Sequence, residues 1–176
     1  MALVAPVVRT IDGLMTQKPP AGPAFGHRNL PLLLLMARES VIRQFRPVLQ
    51  ANGLTEQQWR VLRVLAERGA TEPRELVRLC GISSPSLTGM LARMDDLGLV
   101  ARKPVAGDQR RVLVSTTARS RAIAARIAPQ VDAIYAHMEA RLGERFVQQM
   151  YKTLDRLVAE LGEPAGEGES APPSYD

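Results

Sequence analysis

One cysteine, Cys80, and two histidines, His27 and His137, are all the sulfur and imidazole nucleophiles or metal ligands in 176 residues. A disulfide framework and a Cys/His zinc site within one chain are thereby excluded. Neither histidine has a metal-ligating residue three or four positions away. Aromatic residues are also scarce, with one Trp, three Tyr and three Phe, whereas Leu, Ala, Arg and Val recur. That balance favours helices over a β-sandwich. No stretch reaches the roughly 18 consecutive apolar residues of a membrane-spanning helix. The start, MALVAPVVRTIDG, has no basic segment before its short apolar run, so a secretory signal is not expected. With one cysteine, the expected compartment is the cytoplasm. A mass of 19.3 kDa suits one domain or one compact protomer and is too small for a typical two-domain enzyme.

The net charge of +5 is unevenly spread. Residues 1–28 carry Arg9, Lys18 and Arg28 against Asp12, a net of +2, and residues 163–176 carry four acids and no base, a net of −4; this leaves +7 for residues 29–162. Residues 93–126 alone hold eight bases against three acids. A basic core with a concentrated patch points first to nucleic acid and second to an acidic membrane surface or partner. The alternative is a merely solvated face.

Pro6, Pro19, Pro20 and Pro23, with Gly13, Gly22 and Gly26, mark residues 1–28 as a mobile N-terminal tail, and EPAGEGESAPPSYD marks residues 163–176 as an acidic disordered C-terminal tail. Between them, Leu34, Arg38, Val41, Ile42, Phe45 and Leu49 recur at helical steps and predict a helix over about 30–51, with Pro47 bending its last turn and Asn52-Gly53 ending it. Thr55 with Gln58 matches a capping box and opens a second helix, with Trp59, Leu62 and Ala66 on one face. A short helix, EPRELVRLC, closes at Gly81. Ser84 as N-cap and Pro85 as first helical residue then open SPSLTGMLARMDDLG, whose apolar face is Leu87, Leu91 and Met94. The period changes to two in LVARKPV and RRVLVST, which read as strands flanking an AGDQ turn. Two helices, from a Thr116 or Thr117 cap to about 142 and over about 144–161, complete the order. A short helix, a Ser-capped second helix and an immediate hairpin are the layout of a winged helix-turn-helix. The expected fold class is mainly α with a small β-hairpin wing.

A helix that reads DNA needs small polar residues for close approach and a long donor for phosphate or guanine. Ser84, Pro85, Ser86, Thr88 and Gly89, followed by Arg93, supply both, although many ordinary helix starts look similar. In the hairpin, Arg102 and Lys103 lie on the first strand, Arg110 and Arg111 on the second, and Asp108 two residues before Arg110. An acid beside two arginines can be a solvated ion pair of little consequence. In a wing, Asp108 can instead orient the Arg110 guanidinium towards the narrow, electronegative minor groove.

The stretches LTEQQWRVLRVLAE, SPSLTGMLARMDDLGLVARK and GDQRRVLVSTT resemble the MarR family of transcription regulators, most closely its branch associated with aromatic-acid catabolism, such as homoprotocatechuate-degradation regulators. The resemblance runs over roughly residues 29–160 in family order. It implies a winged helix domain at 29–162, with helices of about 30–51 and 117–161 joining a homodimer and a DNA-binding lobe at about 55–116. It also implies a pseudo-palindromic operator and no cofactor.

Arg38 interrupts the apolar stripe of the first helix, and Arg63 lies one turn after Trp59. Their stems can cover apolar surface while their heads reach water. Alternatively, their guanidinium groups bind a carboxylate while Trp59 and Phe45 stack on its ring. The resemblance implies a small aromatic or pyridine acid lined by Asn29, Arg38, Ile42, Phe45, Glu56, Trp59, Arg63 and Tyr135. Cys80, among apolar residues, reads as a buried small residue rather than a redox sensor. An enzyme acting on such an acid would need a nucleophile with its base, a metal cluster or a phosphate loop, none of which the sequence offers. The expected function is therefore a homodimeric, sequence-specific repressor of a catabolic operon. A sequence-indifferent architectural DNA-binding protein is the alternative, sharing the basic patch without needing an arginine pocket.

Overall fold

The computed structural model describes residues 26–105 and 107–162, so the expectations of a mobile and a disordered tail fall largely or wholly outside the described residues. Six helices and one hairpin occur there: α1 (Leu30–Ala51), α2 (Glu56–Arg68), α3 (Pro73–Cys80), α4 (Ser84–Asp96), β1 (Val100–Val105), β2 (Asp108–Thr116), α5 (Ala118–Leu142) and α6 (Glu144–Leu161). Compactness divides the chain into two units, residues 1–37 and 38–176, with the boundary inside α1. In the first unit Asn29 starts α1, its Oδ1 accepting the Leu32 N–H at 3.0 Å.

Local chemistry sets the element starts. At α2 the Thr55 Oγ1 accepts the Gln58 N–H while the Gln58 side chain accepts the Thr55 N–H at 2.9 Å, a reciprocal cap of the kind that contributes about 1 kcal/mol. Thr117 and Ser120 repeat the arrangement at α5, and the Thr117 hydroxyl donates to the Gly98 carbonyl at 2.7 Å, tying α5 to the exit of α4. Ser83, not Ser84, is the N-cap of α4, which makes Ser84 the first helical residue and Pro85 the second. A proline is accommodated equally well there, because the first-turn N–H groups have no intrahelical acceptor.

The core gathers Leu49, Val61, Leu62, Leu65, Leu76, Leu87, Leu91, Met94, Val100, Val114 and Ile127, all at most 3% exposed, from α1 through α5. In α2 the buried residues are Gln58, Val61, Leu62 and Leu65, at i, i+3, i+4 and i+7. The sequence-based face of Trp59, Leu62 and Ala66 is thus rotated from the real one: Trp59 is half-buried at its edge and Ala66 is exposed. In α1, Phe45 and Leu49 are buried whereas Val41 is exposed, and on α6 only Val147 is buried.

The two strands pair antiparallel from Val100↔Thr116 to Pro104↔Val112, with an irregularity before Val105↔Asp108. Gly107, at φ 85°, closes the turn in fewer residues than AGDQ, so β2 begins at Asp108 rather than Arg110. Thr71, just before α3, pairs with Val114 through two backbone hydrogen bonds of 2.9 Å. The hairpin is therefore fastened to the helix-turn-helix through Val114.

Candidate nucleic-acid interface and ligand site

The first three turns of α4 turn Leu87, Met90, Leu91 and Met94 inward and leave Ser84, Pro85, Ser86, Thr88 and Arg93 exposed, with Gly89 half-buried. The Thr88 hydroxyl donates to the Ser84 carbonyl at 2.9 Å, and Ser83 donates to Ser86 at the same distance. These short bonds keep both side chains close to the helix. The resulting surface is small, polar and low, with a guanidinium one turn further on, which suits entry into a major groove.

Lys103, Arg110 and Arg111 are exposed on the hairpin, beside Arg102. Two details differ from the sequence reading. Asp108 Oδ1 accepts the backbone N–H of Arg110 at 3.1 Å, so it organises the turn rather than holding the Arg110 guanidinium. Arg111 directs its guanidinium to Glu72 at the start of α3, with Nε at 2.9 Å from Oε1. This partner pushes the Arg111 pKa still further up, chiefly through the hydrogen bond. Arg111 therefore clamps the wing to α3, while Arg110 remains the residue at the tip. Replacing Arg110 by alanine is expected to weaken operator binding by about 1–3 kcal/mol with an unchanged melting temperature; Asp108→Ala should act in the same direction but more weakly. Fluorescence anisotropy on operator duplexes checks both. Wild-type affinity in Arg110→Ala would remove Arg110 from the interface.

A second cluster lies where α1 meets α2. Glu56, on the first turn of α2, is 20% exposed at its side chain and surrounded by three arginines. Its Oε1 accepts from Arg38 and, at 2.8 Å, from Arg60, and its Oε2 lies 3.7 Å from Arg46. Arg46 is further held by Glu39, whose carboxyl that hydrogen bond keeps below the usual carboxylate range. Phe45, two turns after Arg38 on α1, is buried, and its ring meets that of Tyr135 on α5 edge-on, centroids 5.3 Å apart. Ile42, Trp59 and Ile134 flank the core at partial burial.

Of the residues expected to line a pocket, the structure thus brings Arg38 to Glu56 and Phe45 to Tyr135. Glu56 is the resident counter-ion of Arg38, not a surface that an acid would seek. Arg63 does not join them. It is exposed and donates to Glu67 at 2.7 and 3.0 Å, one turn along the same helix. The side chain of Asn29 serves the cap of α1. A concavity of about 440 Å³ is lined by Leu154, Asp155, Val158 and Ala159 on α6 and by Gly162 just after it, none of them an expected pocket residue. Arg46, Arg60 and Glu72 were missed from sequence. The Glu56/Arg60 spacing of four was a legible helical ion pair, but Glu72 and Arg111 are 39 residues apart and no local pattern joins them. Cys80 is buried, and burial pushes its thiol pKa up despite the nearby Arg60 charge, the reverse of a reactive thiol. Among the described residues no group of His, Cys, Asp and Glu could hold a metal, and no helix is long and apolar enough to cross a membrane.

The homoprotocatechuate degradative operon repressor of Escherichia coli is 38% identical over 133 residues, 76% of this chain and 90% of that protein. The sequence profile of the MarR family also matches residues 52–111, from the approach to α2 into the second strand of the wing. The chain belongs to the MarR family. Among solved MarR-like structures, transcriptional regulator PA4135 superposes with a TM-score of 0.74 at 37% identity, covering 78% of this chain and all of that one. NadR in complex with 4-hydroxyphenylacetate gives 0.68 at 37% identity, covering 80% and 96%. This MarR-family chain is accordingly a winged helix-turn-helix transcriptional regulator, and its relatives are named as regulators rather than enzymes.

Proposed function

We propose that the chain is a homodimeric, sequence-specific repressor of a catabolic operon, bound to a pseudo-palindromic operator and released by a small aromatic or pyridine carboxylate. Residues 29–162 form the working domain. Ser84, Pro85, Ser86, Thr88, Gly89 and Arg93 address the major groove; Arg110 and Lys103 address the phosphates and minor groove, with Asp108 and Arg111 shaping the wing. Arg38 is the anion-binding group, with Ile42, Phe45, Trp59 and Tyr135 providing the apolar walls and Glu56 and Arg63 at the margin. The observation that carries the ligand reading is that Arg38 already binds a carboxylate, that of Glu56, on the same helix as Phe45, whose ring meets that of Tyr135. A ligand carboxylate can offer Arg38 the same charge-assisted bond together with a ring for the walls. That NadR is solved with 4-hydroxyphenylacetate agrees with this choice of chemistry.

Dimerisation is supported by apolar side chains left uncovered in a single chain. On α6, Phe146 is 57%, Val158 47% and Leu161 78% exposed, and α1 leaves Leu32 and Leu35 at least half exposed. Apolar faces of this kind require a partner in a water-soluble regulator. The test is thermal shift against a panel of aromatic and pyridine carboxylates, followed by footprinting on duplexes selected from a random pool. A ligand at 100 times its Kd should stabilise the folded state by about 2.7 kcal/mol. Footprints no tighter on selected than on random DNA at equal salt would favour the sequence-indifferent architectural reading.

A further inference from the structure

Arg60 has two partners on opposite sides. Its Nη2 donates to Glu56 Oε1 at 2.8 Å, the same oxygen that accepts from Arg38. Its Nη1 donates to the main-chain carbonyl of Cys80 at 2.7 Å. Cys80 is the last residue of α3, followed by Gly81 in the left-handed conformation and by Ser83, the N-cap of α4. One planar guanidinium therefore spans from the counter-ion of Arg38 to the turn that aims the reading helix. Because the group is rigid, Nη1 and Nη2 cannot move independently. The Cys80 carbonyl, near the C-terminus of its helix, is one of those that the helix itself leaves without a partner.

We infer that Arg60 is the positioning residue that carries ligand binding at Arg38 to the helix-turn-helix turn. The inference rests on the reading of Arg38 as the carboxylate-binding group. An incoming carboxylate takes over Arg38 and sets a second negative charge against Glu56, and this repulsion, which removing Arg38 alone does not create, drives Glu56 towards Arg60. The fork follows Glu56, its bond to the Cys80 carbonyl lengthens, and the start of α4 loses the restraint that fixes its direction. Glu56 is in this account the competitor of the ligand, not a contact to it.

The full chain is tested with 4-hydroxyphenylacetate as probe, measuring acid affinity by calorimetry and operator affinity with and without the acid. In wild type the acid should weaken operator binding about 100-fold, a size within the usual range of coupling between sites. Arg60→Gln should bind the acid within about threefold of wild type, bind the operator about tenfold more weakly without acid, and lose less than about fivefold more when acid is added. Arg60→Lys, which keeps the charge but not the fork, should behave like Arg60→Gln. Glu56→Gln should bind the acid several-fold more tightly, because Arg38 loses its resident carboxylate. A purely structural role for Arg60 would lower the melting temperature but leave the ratio of operator affinities at its wild-type value. Wild-type coupling in either Arg60 variant, or weaker acid binding in Glu56→Gln, overturns the relay while leaving the ligand reading standing. A wild type that neither binds the acid nor responds to it overturns the ligand reading, and the relay falls with it.

Discussion

Gly89→Glu is expected to abolish operator recognition, lowering affinity by at least about 100-fold, roughly 2.7 kcal/mol, while the protein stays folded and dimeric. The protein itself has room for the change. Gly89 sits within a regular helix, and a Cβ built there meets only the Arg93 Nη1, at 3.7 Å, an ordinary contact. Replacing a helical glycine also removes backbone freedom from the unfolded chain, so stability should hold or rise. At the proposed DNA face the consequences are adverse and additive. A carboxylate is brought towards the phosphates, the close approach that a missing side chain permits is lost, and the new acid lies four residues before Arg93, where it can draw that guanidinium away from DNA. Anisotropy titration on the selected operator measures the loss, and sedimentation velocity checks the dimer. Undiminished affinity would mean that α4 is not the reading head; a dissociated dimer would mean that this turn belongs to the core.

The boundaries of the helices were legible because they are set by short-range chemistry. Thr55 with Gln58 and Thr117 with Ser120 close caps within three residues, and Gly81, Gly98 and Gly107 adopt positive φ where the chain must turn. Ser83 and Ser84 were confused because adjacent serines satisfy the same rule and a proline fits either of the first two helical positions. The inward face of α2 was less legible. Trp59 drew the stripe towards itself by its size, whereas Val61 and Leu65, with Leu62, are the residues buried in the core and Trp59 packs against it only in part. For Arg38 the stripe held only in its second half, where Phe45 and Leu49 are buried while Leu34 and Val41 stay exposed, and the partner of Arg38 was not contained in it, since Glu56 lies on another helix, 18 residues away. Arg63 looked equivalent from spacing alone, yet its nearest acid is on its own helix, and a local pair forms without any tertiary fold. Contacts of long sequence separation, such as Arg111 to Glu72 or Arg60 to the Cys80 carbonyl, have no periodic signature and follow only from the packed arrangement.

Arg38→Ala is expected to bind the operator within about threefold of wild type and yet to release it hardly at all when aromatic acid is added, the acid-induced loss of affinity falling from about 100-fold to a few-fold. Arg38 makes no contribution to the basic face of α4 or the wing, and at 49% side-chain exposure it is not a structural support whose removal leaves a buried charge unpaired. Glu56 keeps Arg60 and Arg46 as partners after the change, so the acid-free arrangement of the lobe is retained. What disappears is the cation that a ligand carboxylate needs. Without it the acid must enter beside Glu56 with its charge opposed, and its preference for the DNA-incompetent state is lost. A ligand shifts an equilibrium only by its differential affinity for the two states, and recognition helices must sit about 34 Å apart to enter successive major grooves, so a lost preference leaves that spacing undisturbed. Arg63→Ala provides the comparison. Exposed and already paired with Glu67, Arg63 should contribute little, and its variant should release DNA almost as wild type does. The measurement is operator affinity with and without saturating acid for the three proteins side by side. Equal release by all three would show that both guanidinium groups do no more than carry their stems across apolar surface into water; loss of release in Arg63→Ala but not Arg38→Ala would move the anion site one turn beyond Trp59.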